Sequence, residues 1–343
     1  MASTVPPMTI AALATYLPTS VELAEDAEAR GVLPSKNRSA CGVSQVPVEH
    51  DLSAPDMAIR ACTDALTGAR VRPEDVSAIF YASTFFQGAS FWSPAHYIAQ
   101  SIGATNAIPI GISAMCNGSG TALDLTQRYL ATSAPDAMVI VCTADRFPDA
   151  SFDRWGGDYG VIYGDGATAG LFGGPARRRP FMRVLASQTI ALSELESMHR
   201  PADGLYGSVS DEPVPHLVRP HKRAFLARHG KESLSQHFAS ALRSLIPKIH
   251  AQIDLPVGDP AVSQVYVPRV GADTIDSAYR PVLEEEFGLS IRHLAAQTGH
   301  LGAGDTIANL SESEKDDDND SVRLFLSVGA GFTLTLIAAE SVQ

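Results

Sequence analysis

Hydrophobic and polar positions alternate in two textures along the chain. In "PDMAIRACTDALTGA" (Pro55–Ala69) apolar residues recur at three- and four-residue spacing, which predicts a helix with one buried face. "VSAIFYAST" (Val76–Thr84) is a compact apolar run that predicts a strand, and "SPAHYIAQSIGA" (Ser93–Ala104), with proline near its start, predicts a second helix. The alternation continues through "AIPIGIS" (Ala107–Ser113) as strand and "GTALDLTQRYLATS" (Gly120–Ser133) as helix. "AMVIVCTAD" (Ala137–Asp145) is apolar without a break, as in a strand covered on both faces.

After "FGGPARRRP" (Phe172–Pro180), a turn-rich basic connection, the theme returns. Helices are predicted at Ser233–Ile253 and Ser277–Gly288, and a helix start at Asp305–Glu314. "VSQVYVPRV" (Val262–Val270) predicts a strand, and "VRLFLSVGAGFTLTLIAAE" (Val322–Glu340) two strands joined at glycines. Strand–helix units in the same order twice predict a duplicated α/β architecture, divided into residues 1–175 and 176–343. "SEKDDDND" (Ser313–Asp320) reads as an acidic surface loop without assigned function.

Composition narrows the class. The 343 residues are 45% hydrophobic and 19% charged, as in a soluble globular protein. No apolar run reaches the roughly 18 residues of a membrane span. The first twenty residues lack a basic segment followed by an apolar stretch and a small-residue cleavage site, so no secretory signal is expected. Cys41, Cys62, Cys116 and Cys142 show neither CxxC pairing nor metal-ligand spacing, and predict reduced thiols in a cytoplasm. A formal net charge of −12 weighs against nucleic-acid binding. Basic residues cluster in "ARRRP" (Ala176–Pro180) and in "RPHKRAFLARHGK" (Arg219–Lys231), as solvated faces or as a docking surface for phosphates or an acidic carrier protein.

One stretch concentrates chemistry. In "PIGISAMCNGSGTALDLTQRYL" (Pro109–Leu130) a strand ends at Cys116 and a helix follows. N–H groups of a first helical turn and the positive end of the dipole favour thiolate, and Gly118 and Gly120 allow close backbone approach. Packing explains Cys62 and Cys142, within apolar patterns; Cys41 stays undecided, and texture alone leaves Cys116 open between packing and catalysis.

Read with Cys116, four further stretches in order and spacing carry a resemblance: "YGDGATAGLF" (Tyr163–Phe172), "VYVPRVG" (Val265–Gly271), "QTGHLGAGD" (Gln297–Asp305) and "SVGAGFTL" (Ser327–Leu334). Together they resemble the β-ketoacyl-carrier-protein synthase III family from about residue 10 to the C-terminus. The resemblance implies a thiolase-like α/β fold, a duplicated α/β/α/β/α five-layered architecture, with the nucleophile in the first half and its partners in the second. It also implies a homodimer. "YGDGATAG" lacks the GK[ST] ending of a phosphate loop; in the family it supports the active-site helix and the dimer interface.

The family site is Cys–His–Asn, and here two of the three positions differ. The cysteine is Cys116, the histidine position is Arg269, and the asparagine position is His300. Losing the paired neutral donors disfavours decarboxylative condensation. His300 remains as a base, with Asp305 five residues on to orient it or simply to cap the following helix. Cys116, His300 and Asp305 would then be nucleophile, base and acid of an acyl transfer, with an oxyanion hole from the N–H groups of Cys116 and Ala330. Arg269 would either grip the free carboxylate of a malonyl-type group or turn outward into an ion pair.

This variant resembles the family's acyltransferases of polyketide tailoring. The resemblance implies an acyl-CoA or acyl-carrier-protein co-substrate, no permanently bound cofactor or metal, and a small-molecule acceptor such as a sugar hydroxyl of a polyketide glycoside. Nucleic acid and membrane are not expected partners. The competing readings are a decarboxylating ketosynthase and a non-catalytic partner subunit of a synthase.

Overall fold

A computed structural model describes residues 5–174, 181–208, 214–315 and 321–342. The basic run Ala176–Pro180, the division at 175/176 and the acidic run Asp316–Asp320 lie outside the described residues.

In chain order, the first half runs β1 (Met8–Tyr16), β2 (Val21–Leu23), α1 (Ala24–Ala29), α2 (Ser35–Cys41), β3 (Gln45–Pro47), α3 (Ala54–Ala69) and β4 (Val76–Ala82). It continues with α4 (Pro94–Ile102), β5 (Ile108–Ile112), α5 (Gly118–Ala131), β6 (Met138–Asp145) and β7 (Gly166–Gly173). The second half runs β8 (Met182–Ala191), α6 (Arg219–His229), α7 (Lys231–Gln252), β9 (Gln264–Tyr266) and α8 (Ala272–Thr274), prolonged by wider turns to Glu286. β10 (Ser290–Arg292), α9 (Asp305–Ser313), β11 (Val322–Gly329) and β12 (Thr333–Ser341) complete it.

Ten strands form one sheet in the order β10-β9-β11-β12-β8-β1-β7-β6-β4-β5, while β2 and β3 pair separately. Counted in chain order within each set of five, both sets read 3-2-4-5-1 from outer edge to centre. They meet where β1 pairs antiparallel with β8. Directions repeat as well: β4 is parallel to β5 and β6, and β9 to β10 and β11, whereas β7 and β12 run antiparallel to both their neighbours.

Helices stack around these strands in five layers. α3 and α4 cover one face of the first set, and α7 with the turns to Glu286 covers the outer face of the second. Between the sets lie α5 and α9; Ala122 and Leu123 of α5 and Ile307 of α9 share a core with Val139 and Val141 on one side and Phe325 and Ile337 on the other. β6 and β7 are buried at every position, which explains the unbroken apolar run of β6. α3 starts as its sequence dictates: Ser53 and Asp56 form a reciprocal capping box, and Met57, Ala61, Cys62 and Ala65 make the buried stripe.

Two expected elements differ. The strand predicted at Val262–Val270 pairs only over Gln264–Tyr266, because Pro268 has no N–H to donate and the chain turns into the site there. The basic stretch Arg219–Lys231 forms the helix α6 and the first residue of α7, with Lys222 and Phe225 buried. No helix among the described residues is long and apolar enough to cross a membrane.

Candidate active site

Cys116 lies in a tight 3-10 turn, Met115–Asn117, between β5 and α5. Met115 holds a left-handed φ of 49°, a conformation that costs a non-glycine residue about 1 kcal/mol or more and persists only where its surroundings hold it. Those surroundings are visible. The buried Asn117 amide contacts the Thr333 and Thr335 hydroxyls of β12 at 3.0 Å each. A Cβ on Gly329 would meet Ala114 O and Asn117 N at 2.5 Å, and one on Gly118 would meet the Ala82 Cβ at 2.6 Å. Both glycines therefore serve close packing, and together they clamp the cysteine turn between β4 and the β11–β12 hairpin.

His300 is carried by the loop before α9. Its N–H donates to Ile162 O at 2.7 Å, and its carbonyl accepts the Gly164 N–H at 3.0 Å. The "YGDG" segment thus fixes the His300 backbone. Asp165 of that segment accepts N–H groups of Glu49 and Phe147 and pairs with the buried Arg154, a structural hub.

The turn Gly302–Gly304 brings Asp305 back onto the imidazole. Asp305 Oδ2 accepts from His300 Nδ1 at 2.6 Å and from the Arg269 N–H at 2.7 Å, and Oδ1 accepts the Leu301 N–H at 2.8 Å. The side chain does not cap α9; it ties the loop of His300 and Leu301 to the Arg269 backbone. Cys116 acts electrostatically on the same imidazole, and the two side chains share one cavity wall. Cys116, His300 and Asp305 are therefore contiguous.

Electrostatics follow from this arrangement. Burial alone favours a neutral imidazole, but the Asp305 carboxylate and the Cys116 sulfur outweigh it and hold His300 well above its ordinary range. Burial would raise the Asp305 carboxyl, yet His300 and Arg269 keep it lowered.

Arg269 does not meet the carboxylate-gripping expectation. It is 4% exposed, and its neighbours Pro268 and Val270 line the cavity while it does not. Nε donates to Asn309 Oδ1 and Nη1 to Thr298 Oγ1, both at 2.9 Å. Nor is it an outward-facing surface ion pair. Its backbone and charge position Asp305, because residue 269 follows β9 directly beneath α9.

Cys116, His300 and Ala330 all line one cavity of about 540 Å³, whose wall includes the aromatic rings of Phe85, Phe147 and Phe332. The sequence reading missed Tyr163, whose ring meets His300 edge-on at 5.4 Å, and Asp158, which accepts its hydroxyl at 2.9 Å. Both stand in "GDYGVIYGDG", where glycine spacing drew attention and the side chains between did not. Cys41, Cys62, Cys116 and Cys142 are free thiols, and no group of His, Cys, Asp or Glu among the described residues is arranged to hold a metal.

No family model matches the chain. Among curated proteins, β-ketoacyl-[acyl-carrier-protein] synthase III of Listeria monocytogenes is 30% identical over 119 residues, which is 34% of this chain and 37% of that protein. The matched stretch thus spans little more than a third of that relative. Solved structures match throughout. The acyltransferase ChlB3 superposes with a TM-score of 0.85 at 24% identity, covering 98% of both chains. The 3-oxoacyl-[acyl-carrier-protein] synthase III of Aquifex aeolicus VF5 gives 0.74 at 19% identity, covering 97% of this chain and 99% of that one. The tetronic acid condensing enzyme AbyA1 gives 0.76 at 16% identity, covering 97% and 100%. The fold is thiolase-like, as in synthase III.

Proposed function

We propose that this protein is an acyltransferase that loads an acyl group on Cys116 and passes it to a hydroxyl without carbon–carbon bond formation. The observation that carries the reading is the 2.6 Å His300–Asp305 bond, made by an imidazole that shares its cavity wall with Cys116. The Cys116 sulfur attacks the thioester carbonyl of an acyl-CoA or acyl-carrier protein, and His300 takes the thiol proton. The oxyanion is received by the N–H groups of Cys116 and Ala330, donors typically worth about 3–4 kcal/mol at such a site. The carrier thiol leaves with the proton held on His300. The acceptor hydroxyl then enters, gives its proton to His300 and attacks the acyl-cysteine; collapse releases the ester and returns the proton to sulfur. Asp305 fixes the tautomer and stabilises each imidazolium.

Likeness to the acyltransferase ChlB3 supports this reading. Among the enzymes it resembles, the cervimycin sugar malonyltransferase suggests a malonyl-type donor and a polyketide glycoside acceptor. The exposed edge of the sheet supports a homodimer. β5 is an edge strand whose Ile108 and Ile110 are 59% and 39% exposed, whereas the opposite edge, β10, is three residues long and ends at Arg292.

Mass spectrometry after incubation with malonyl-CoA tests the scheme. The protein should gain a malonyl adduct that is absent in Cys116→Ala and discharges when an alcohol is added. His300→Ala should slow discharge by about 10²–10⁴-fold. Carbon dioxide release with a ketone product would identify a condensing enzyme instead, and no adduct with any thioester a non-catalytic subunit. Against condensation stands Arg269, at the position of the family's histidine and buried away from the cavity.

A further inference from the structure

The cavity carries a second polar cluster that this chemistry does not use. Asp158 is 3% exposed; its Oδ1 accepts from Lys222 Nζ at 2.6 Å and its Oδ2 from the Tyr163 hydroxyl at 2.9 Å. Lys222, 9% exposed, projects from α6 into the lining beside His199 and His216. Arg219, one turn earlier, donates to the Asp158 carbonyl at 2.8 Å and lies over the Tyr159 ring. Two ring contacts connect the cluster to the reaction centre: Tyr163 against His300 at 5.4 Å, and His199 against Phe332 at 5.2 Å, two residues from Ala330.

The charges there do not balance. The one buried carboxylate on the lining, Asp158, pairs with Lys222, while Arg219 binds its backbone carbonyl; the other carboxylate on the lining, Asp273, is exposed and lies beside Cys41. Of the three ammonium donors of Lys222, Asp158 takes one. His199 Nδ1 is buried and has no hydrogen-bond partner among the described residues. Buried polar groups are normally satisfied, so a cation-rich wall with an open imidazole nitrogen inside an aromatic cavity lacks an anionic acceptor.

We propose that Lys222 and His199 form an anion subsite that holds a substrate carboxylate during the acyl transfer read above, on which its role in the reaction rests. Lys222 supplies the charge and His199 a neutral hydrogen bond. Burial first, and the Lys222 charge second, push the His199 pKa down to about 3. A carboxylate bound between them would reverse the second influence and raise it. The cation for an acid-bearing substrate, assigned from sequence to Arg269, thus falls to α6. The carboxylate is that of a dicarboxylic acyl donor or of the acceptor.

The test is malonate binding to the full-length protein with isotope-labelled histidine rings, the His199 signal being assigned by its loss in His199→Gln. Malonate should move that signal saturably and raise its pKa. The double variant Asp158→Asn/Lys222→Met removes both charges together, leaves no buried charge unpaired, and should weaken the response about tenfold or more. A signal that malonate leaves unmoved, or moves equally in the double variant, overturns the subsite. Two ratios identify the source. Loading of Cys116 from malonyl-CoA relative to acetoacetyl-CoA should fall about tenfold in the double variant if the donor carboxylate sits there. Discharge to para-hydroxymethyl benzoate relative to its amide should fall instead if the acceptor does. Two unchanged ratios overturn the role in substrate binding. Because the titration needs no turnover, failure of Cys116 to load from any thioester would sink the acyl-transfer reading alone.

Discussion

A single carboxylate governs both the basicity of His300 and its tautomer. Replacing it by amide, in Asp305→Asn, removes the larger of the two influences that hold the imidazole above its ordinary range, so the ring loses its proton at lower pH. The acidic limb of adduct discharge should move to lower pH while the maximal rate falls about 10²-fold or more, as a pH–rate profile would show. The pair also makes stability pH-dependent. His300 has a raised folded-state pKa, so its contribution is complete below its ordinary 6.5 and is lost as pH rises through the raised value. Asp305 has a lowered one, so its contribution is complete above 3.8 and is lost as pH falls. The melting-temperature gap between wild type and Asp305→Asn should be widest between those values and narrow towards alkaline pH. Arg269 illustrates the opposite kind of residue. Arg269→Ala leaves Asn309 and Thr298 without their donor and Asp305 without a neighbouring charge, and should cost about 3 kcal/mol in denaturant unfolding. Loading by malonyl and acetyl donors should suffer equally, since the guanidinium is off the cavity wall.

Elements bring these residues together through turns in which a side chain has no room. Gly302 has a φ of +60°, and a Cβ there would run into the Asp145 carboxylate. Asp145 in turn accepts N–H groups of Thr84, Phe85 and Ala303, tying β4 and β6 to the loop of His300; burial pushes its pKa up to about 6. Gly302→Ala should therefore destabilise the protein by about 1–3 kcal/mol and slow discharge, with calorimetry and single-turnover kinetics as the readouts. A variant that melts and turns over like wild type would show that the loop has slack. The glycine pattern of "HLGAGD" was legible in the sequence as a turn, and the turn does return Asp305 to His300. Its tightness was not, because that comes from Asp145, more than a hundred residues away. The Val262–Val270 strand was overextended for a related reason: apolar texture continues beyond the point where Pro268 ends the pairing.

For the whole molecule, repetition is the main fact. Two sets of five strands with one strand order place the cysteine turn of the first set opposite the His300 loop of the second, with α5 and α9 between. The edges are unequal, and the exposed isoleucines of β5 make it the side on which a second copy would add. Ile108→Lys should convert a dimer to a monomer of 36.3 kDa in light scattering. A wild-type protein already monomeric would remove the edge from consideration.

Local pattern was enough for the periodic elements and for the duplicated α/β plan, because periodicities of 3.6 and 2.0 are written along the chain, whereas Cys116, His300 and Asp305 were singled out only by the order of family-like motifs. Side-chain direction at irregular positions was not written there. Arg269 and Lys222 are equally cationic in sequence, and only packing turns the first into the interior under α9 and the second into the cavity beside Asp158. The partners that decide it, Asn309 for one and Asp158 for the other, lie 40 and 64 residues away, so their meeting is set by how the layers stack and by the cost of leaving a buried charge unpaired.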